Sequence, residues 1–227
     1  MIKSYSKINL FLKVLKKNSK GLHNIQSVTM LLDLHDKISI KKIQKKKDEI
    51  VFVGPFKKNI RKNNNTIAST LLLLRNHKLL SHNKKYKIVV NKRIPVFAGL
   101  GGGTGNAATI IKYFLKKKIS LKVLKIFEKK IGSDLRLFFF NNCFQESLKR
   151  IKEMKKKYNF YFLLVYPNVK SSTKEVYSKV KIFNFPLKID PLKITSKNSY
   201  NKFLINEIND LQKIVEKKRK KIQSILN

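Results

Sequence analysis

The chain has one cysteine, no tryptophan, five prolines and eight glycines. A lone Cys143 excludes an internal disulfide framework and a paired-cysteine metal site. Histidine is sparse as well: His23, His35, His77 and His82 are dispersed and show no metal-ligand spacing. Acidic residues are few, with 13 Asp and Glu against 52 Lys and Arg, a formal net charge of +39. No apolar run reaches the roughly 20 residues that a membrane helix requires. The opening "MIKSYSKINLFLKVLKK" has an apolar stretch broken by Asn9 and Lys13 and no small-residue cleavage site after it. These absences predict a reducing, cytoplasmic setting with no membrane partner.

What is abundant is lysine. A field of +39 favours polyanions such as nucleic acid, anionic lipid or phosphorylated small molecules. The cations lie in nearly every segment, alongside many Asn, Ile and Phe. Such a wash fits compositional drift of an AT-rich genome better than a nucleic-acid footprint, which concentrates charge in a patch. The charge therefore disfavours nucleic acid as the partner without excluding it. Hydrophobic residues make up 42% of the 227, enough for a folded core.

Residues 5–15 alternate apolar and polar and predict a half-buried strand. Gly21 marks a turn, and "SVTMLLDL" and "DKISIKKI" predict two further strands. "DEIVFVG" predicts a fourth, and "YKIVVNKRIP" another that runs into Pro95. "NTIASTLLLL" predicts a helix from an Asn/Thr cap. In "NAATIIKYFL", Ala107, Ile110, Ile111, Phe114 and Leu115 fall on one helical face. Ser120 predicts a cap for "LKVLKIFEKKI", which ends at Gly132. The charge run "KRIKEMKKK" and fading periodicity predict a boundary in 142–158, giving domains of 1–150 and 151–227. Beyond it "NFYFLLVYP" predicts a buried strand, "STKEVYSKV" a short helix capped by Ser172 or Thr173, and 201–226 one long helix.

Five of the eight glycines fall between Gly99 and Gly105. Strand, glycine loop and helix in that order make an anion site, because the first helical N–H groups lack internal partners and the helix dipole adds positive charge there. No Lys-Ser/Thr closes the loop as in a P-loop, and no acidic residue follows at a dinucleotide-site distance. A tight loop that only lets strand and helix pack closely is the plain alternative.

"PVFAGLGGGTGNAA" resembles the phosphate-binding loop of the GHMP small-molecule kinases. "SKINLFLKV", "GLHNIQSV", "DKISI", "IGSDLRLFF", "LLVYPNVKSST" and "INDL" resemble other segments of that family in the same order. The likeness runs from residue 4 to about 226, is specific in the N-terminal strand and the loop, and is looser in the second half. It implies an α+β, two-lobed GHMP kinase fold. The N-terminal lobe would share its architecture with some ribosomal proteins, and the C-terminal lobe would be ferredoxin-like. The implied activity is transfer of a phosphoryl group from ATP, with Mg²⁺, to a hydroxyl of a CDP-linked alcohol in isoprenoid precursor synthesis. A decayed kinase retained as a basic RNA- or partner-binding protein is the alternative, and a homodimer is left open.

By the same resemblance, Asp134 is the general base and Lys7 the cation beside it. Pro95, Val96, Phe97, Ala98, Gly99, Leu100, Gly101, Gly102, Gly103, Thr104 and Gly105 cradle the ATP phosphates. Thr104 also offers a hydroxyl to Mg²⁺, and Asn9, His23 and Tyr177 face the nucleotide-alcohol. Without the resemblance, Asp134 reads as a turn residue after Gly132, Lys7 as one lysine of many, His23 as a loop residue and Tyr177 as a core aromatic. The chain departs from the family pattern at several places. Gly105 stands where a second Ser is usual, Leu22 where a Tyr is usual, and Arg136 where a Pro is usual; "NNCFQESLKRI" lacks the usual glycines. "KKIQSILN" precedes the position of a third glycine-rich motif that does not follow it, so the second lobe is expected to be incomplete and activity impaired.

Overall fold

The computed structural model describes residues 1–17, 23–58, 60–61, 65–116, 119–155, 158–169, 173–218 and 220–226. Gly21, Leu22 and Ser172, to which the sequence assigned a turn, a departure and a cap, lie outside the described residues. The chain forms two compact units, each discontinuous in sequence. The first comprises Met1–Lys7, Leu31–Val96 and Leu100–Phe139; the second comprises Ile8–Met30, Phe97–Gly99 and Phe140–Asn227. Helices and sheet are mixed, as an α+β fold requires.

Two long strands contribute to both units. They are β1 (Ile2–Lys17) and β2 (His23–Ile43), and they pair with each other. The sequence predicted two strands where β2 is one unbroken strand of 21 residues. Asp36, near the junction of the two predicted strands, is completely buried with its carboxylate satisfied in place, so the strand runs on through it.

In the first unit, β2 pairs antiparallel with β4 (Lys85–Asn91), from Lys37 opposite Asn91 to Ile43 opposite Lys85. The short β3 (Glu49–Val53) pairs parallel with β4. Three helices accompany this sheet: α1 (Thr66–Asn76), α2 (Gly102–Leu115) and α3 (Leu121–Ile131). Asn65 caps α1 by accepting the N–H groups of Ile67 at 3.1 Å and Ala68 at 3.0 Å. Ser120 caps α3 through the N–H of Val123 at 3.3 Å, and Gly132 ends that helix. Ile38, Ile88 and Val90 of the sheet meet Leu71 and Leu74 of α1, Ala107, Ile110 and Ile111 of α2, and Phe127 of α3 in one core. Each side chain of this size contributes roughly 1.5–3 kcal/mol when fully buried. The predicted α2 face is correct in its periodicity: Phe114 and Leu115 are its partly buried outer end. Arg75 of α1 donates twice to Asp48, at 2.6 and 3.0 Å, and Asp48 also accepts the Tyr86 N–H at 2.9 Å.

In the second unit, Ser27–Met30 of β2 pair with β5 (Asn142–Gln145), which pairs with β6 (Ile151–Glu153). This hairpin occupies the stretch where apolar periodicity fades, because strands this short leave too few residues for alternation to register. Phe11, Val28, Phe144, Met154, Tyr200 and Phe203 form its core. The short helix α4 (Thr173–Ser178) follows the expected pattern. "NFYFLLVYP" does not: it pairs with no strand among the described residues, and Tyr161 and Leu163 are 98% and 92% exposed. Only Tyr158 and Phe160 pack on the core. The long C-terminal helix is also a correction. α5 (Lys197–Ile205) stops, and helix resumes only at α6 (Gln212–Lys218), with α7 (Lys220–Leu226) beyond. Strand β1 takes the intervening backbone. Leu12 donates to Ile208 O at 3.2 Å, Asp210 N–H donates to Leu12 O at 2.9 Å, and Val14 N–H donates to Asp210 Oδ2 at 2.6 Å. Hydrogen bonds to a strand replace the helical ones, which periodicity alone does not reveal.

Candidate active site

Helix α2 begins four residues earlier than "NAATIIKYFL" suggested, so Gly102, Gly103 and Gly105 lie in its first turns rather than in a loop. The N–H of Gly105 already donates to Gly101 O at 2.8 Å. Gly101 is the N-cap, with φ +69°, and no side chain caps the helix. A bare helix start leaves first-turn N–H groups and the positive end of the dipole for an anion. Gly101 is required on two counts. Its φ is left-handed, and a Cβ there would lie 2.6 Å from Phe138 Cζ and 3.2 Å from Lys7 Cγ.

Gly105 faces the other way. A Cβ there would lie 2.8 Å from the Tyr5 carbonyl oxygen and 3.0 Å from Phe138 Cε1. The position lets α2 rest directly on β1, so the departure from Ser is a packing feature and not simply a missing hydroxyl. Arg136 has an equally local reason. It is buried, and its Nε donates to Glu128 Oε1 of α3 at 2.6 Å. Burial raises the Glu128 pKa, with Arg136 opposing it.

Lys7 is held against the glycine segment at two points. Its N–H donates to Leu100 O at 3.0 Å, and its side-chain stem passes beside Gly101. Its Nζ lies 3.3 Å from Asp134 Oδ2; the lysine side chain is 8% exposed and the carboxylate 37%. Asp134 sits in the turn after α3: Leu135 N–H donates to Gly132 O and Leu137 N–H to Asp134 O, both at 3.1 Å. Ser133 Oγ donates to Asp134 Oδ1 at 3.4 Å. Thr104 Oγ1 lies 3.5 Å from the point a Gly132 Cβ would occupy. The first unit thus brings together Lys7, Leu100, Gly101, Thr104 and Asp134: a buried cation, a carboxylate open to solvent and an uncapped helix start.

In the second unit, Gly99 has φ +75° with open space around it, and Phe97 has φ +64° and is half-exposed. Asn9 Oδ1 accepts the Thr29 hydroxyl at 3.1 Å. The His23 ring lies 5.4 Å from that of Tyr177 and 5.9 Å from that of Phe183, tilted by 32° and 34°. Its Nε2 is buried with no hydrogen-bond partner among the described residues. Burial, then the charge of Lys17, lowers the His23 pKa, which favours the neutral ring. Phe183, whose ring lies beside His23, was not singled out in the sequence, because "VKIFNFPL" is rich in apolar residues and gives it no separate signal. Asp36 and Lys92, buried beneath the start of α2, were also missed.

The bare α2 start of the first unit suits a nucleoside triphosphate, because its first-turn N–H groups offer donors where phosphate oxygens would lie. No cluster of three His, Cys, Asp or Glu suited to a metal exists among the described residues. No helix among the described residues is long and apolar enough to cross a membrane.

The profile of the GHMP kinases N terminal domain matches residues 65–134, from the α1 cap to Asp134. A 4-diphosphocytidyl-2-C-methyl-D-erythritol kinase of Pelagibacter ubique (strain HTCC1062) is 44% identical over 234 aligned residues, covering 100% of this chain and 81% of its own length. The chain belongs to the 4-diphosphocytidyl-2-C-methyl-D-erythritol kinase family. A member of that family from Buchnera aphidicola subsp. Schizaphis graminum is 32% identical, with 99% of this chain and 76% of the relative covered. Among solved structures, a 4-(cytidine 5'-diphospho)-2C-methyl-D-erythritol kinase superposes with a TM-score of 0.67 at 18% identity, covering 99% of this chain and 80% of the other. A mevalonate kinase superposes with a TM-score of 0.57 at 16% identity, covering 95% and 79%. These likenesses establish the GHMP kinase fold.

Proposed function

We propose that this chain transfers the γ-phosphoryl group of ATP to the 2-hydroxyl of 4-CDP-2-C-methyl-D-erythritol, a step of non-mevalonate isoprenoid synthesis. The observation that carries the reading is the Lys7–Asp134 pair, 3.3 Å apart, beside an uncapped helix start in a chain of this family. RNA binding would call for neither feature, and the two relatives compared above are named as kinases.

Phosphoryl transfer depends on position and charge neutralisation more than on covalent chemistry. Asp134 accepts the proton of the alcohol as the O–P bond forms and the bond to the ADP oxygen breaks. Lys7, held by Leu100 and Gly101, offsets the negative charge that grows on the attacking oxygen. Backbone N–H groups between Val96 and Thr104 hold the phosphates, with Pro95 shaping the entry to the segment, while Gly105 packs the helix against β1. Mg²⁺, when bound with ATP, neutralises phosphate charge; Thr104 Oγ1 is the protein hydroxyl assigned to it. Asn9 and the neutral His23, flanked by Tyr177, recognise the cytosine edge and face, and Phe183 joins Tyr177 in that role. A cytoplasmic enzyme is part of the same reading.

The test is a coupled ADP-release assay with the CDP-alcohol. Asp134→Asn is expected to lower kcat by on the order of 10²- to 10⁴-fold with folding intact, since this carboxylate is partly exposed. Equal turnover by both proteins would remove Asp134 from the chemistry.

A further inference from the structure

One buried carboxylate touches both ends of the glycine segment. Asp36 Oδ1 accepts the backbone N–H groups of Arg93 at 2.7 Å and Ile94 at 2.9 Å, the residues that lead into Pro95. Its Oδ2 accepts Asn106 Nδ2 at 3.1 Å, just past Gly105, and pairs with the Lys92 ammonium. Lys92 Nζ also reaches Asn106 Oδ1 at 3.4 Å. The same Nζ lies 3.3 Å from where a Gly102 Cβ would be, directly under the first residue of α2. All of these groups belong to the first unit. Asp36 is 0% exposed, Lys92 3% and Asn106 2%.

A buried ion pair is a poor source of stability, because desolvation offsets most of the attraction and an apolar trio of similar volume would pack without that cost. Burial lowers the Lys92 pKa and the neighbouring Asp36 opposes the shift, as such a balance predicts. What the cluster supplies is direction. Four donors from two sides of the glycine segment converge on a single carboxylate, so the segment has a fixed span and the α2 start a fixed height above β4.

We propose that Asp36, with Lys92 and Asn106, is a positioning cluster that fixes the ends of the glycine segment and so sets the affinity of the α2 start for the phosphates of a nucleoside triphosphate. The inference rests on the kinase reading for the identity of the anion.

The experiment compares wild type with Asp36→Asn and Asn106→Ala. ATP binding is measured by calorimetry, amide hydrogen exchange is followed over 93–105 and α1, and KM is measured for each substrate. Both variants are expected to bind ATP about tenfold more weakly or worse, the kind of loss a sub-ångström misplacement brings. Amides of 93–105 should exchange faster while those of α1 stay protected, and KM for the CDP-alcohol should stay within about twofold of wild type. Unchanged ATP affinity in folded Asn106→Ala overturns the proposal. So does faster exchange spread equally through α1, which marks general destabilisation. Should Asp36→Asn fail to fold, Asn106→Ala decides, because it leaves the Asp36–Lys92 pair in place. Wild type that binds ATP without phosphorylating the CDP-alcohol refutes the substrate reading while the ATP titration still decides this one. Wild type that binds no ATP refutes the positioning role outright.

Discussion

Gly105→Ser would restore the residue usual at this position in the resembling kinases, and the structure predicts harm. The new Cβ would lie 2.8 Å from the Tyr5 carbonyl oxygen and 3.0 and 3.3 Å from two carbons of Phe138. Tyr5 O is strand backbone and cannot rotate away; Phe138 is itself buried. Helix α2 must lift from β1 by several tenths of an ångström. Overpacking of this kind costs about 1–3 kcal/mol. Replacing a helical glycine by serine returns about 0.5 kcal/mol. The net loss of about 1.5 kcal/mol corresponds to a Tm lower by roughly 3–6 °C for a chain of this size. Lifting α2 also displaces the N–H groups meant for phosphate, so KM for ATP should rise and kcat should not. Differential scanning fluorimetry and the ADP-release assay read both effects, with Gly105→Ala separating the clash from the hydroxyl. An unchanged Tm together with a higher kcat in Gly105→Ser alone would show that the missing hydroxyl matters and that the close approach does not.

Asn65→Ala removes both side-chain bonds to the first turn of α1 and should cost about 1 kcal/mol, measured as a lower urea midpoint with an unchanged slope. His23 prefers to be neutral when folded. Its contribution is complete above the ordinary histidine value of 6.5 and is lost as pH falls from there through the lower folded pKa. His23→Gln should therefore flatten the fall in stability between about pH 7 and 5, and identical pH profiles for the two proteins would count against a ring that prefers the neutral form.

Much of the first unit was legible because its signals are local. Asn65, Ser120 and Gly132 mark helix ends by their own chemistry, and Ala107, Ile110 and Ile111 repeat at helical spacing. The Lys7–Asp134 pairing followed only from resemblance, since residues so far apart carry no joint signal in a chain this rich in lysine. Asp36 stayed hidden for the opposite reason. A carboxylate within "LDLHDKISI" carries no sign of its role until the backbone donors of Arg93 and Ile94 are brought to it. The break at 206–211 and the bare segment at 161–165 depend on which strand edges lie nearby, and local pattern does not encode that.

The bare segment has a consequence for handling the protein. Tyr161 and Leu163 offer other molecules an apolar strip with no partner among the described residues, the sort of surface through which chains associate. Copies each carrying +39 repel one another, and that repulsion keeps such strips apart. Salt shortens its reach to about 10 Å at 0.1 M. The lysine spread over the chain therefore acts as a colloidal stabiliser, most effective in dilute buffer, and self-association should grow as ionic strength rises.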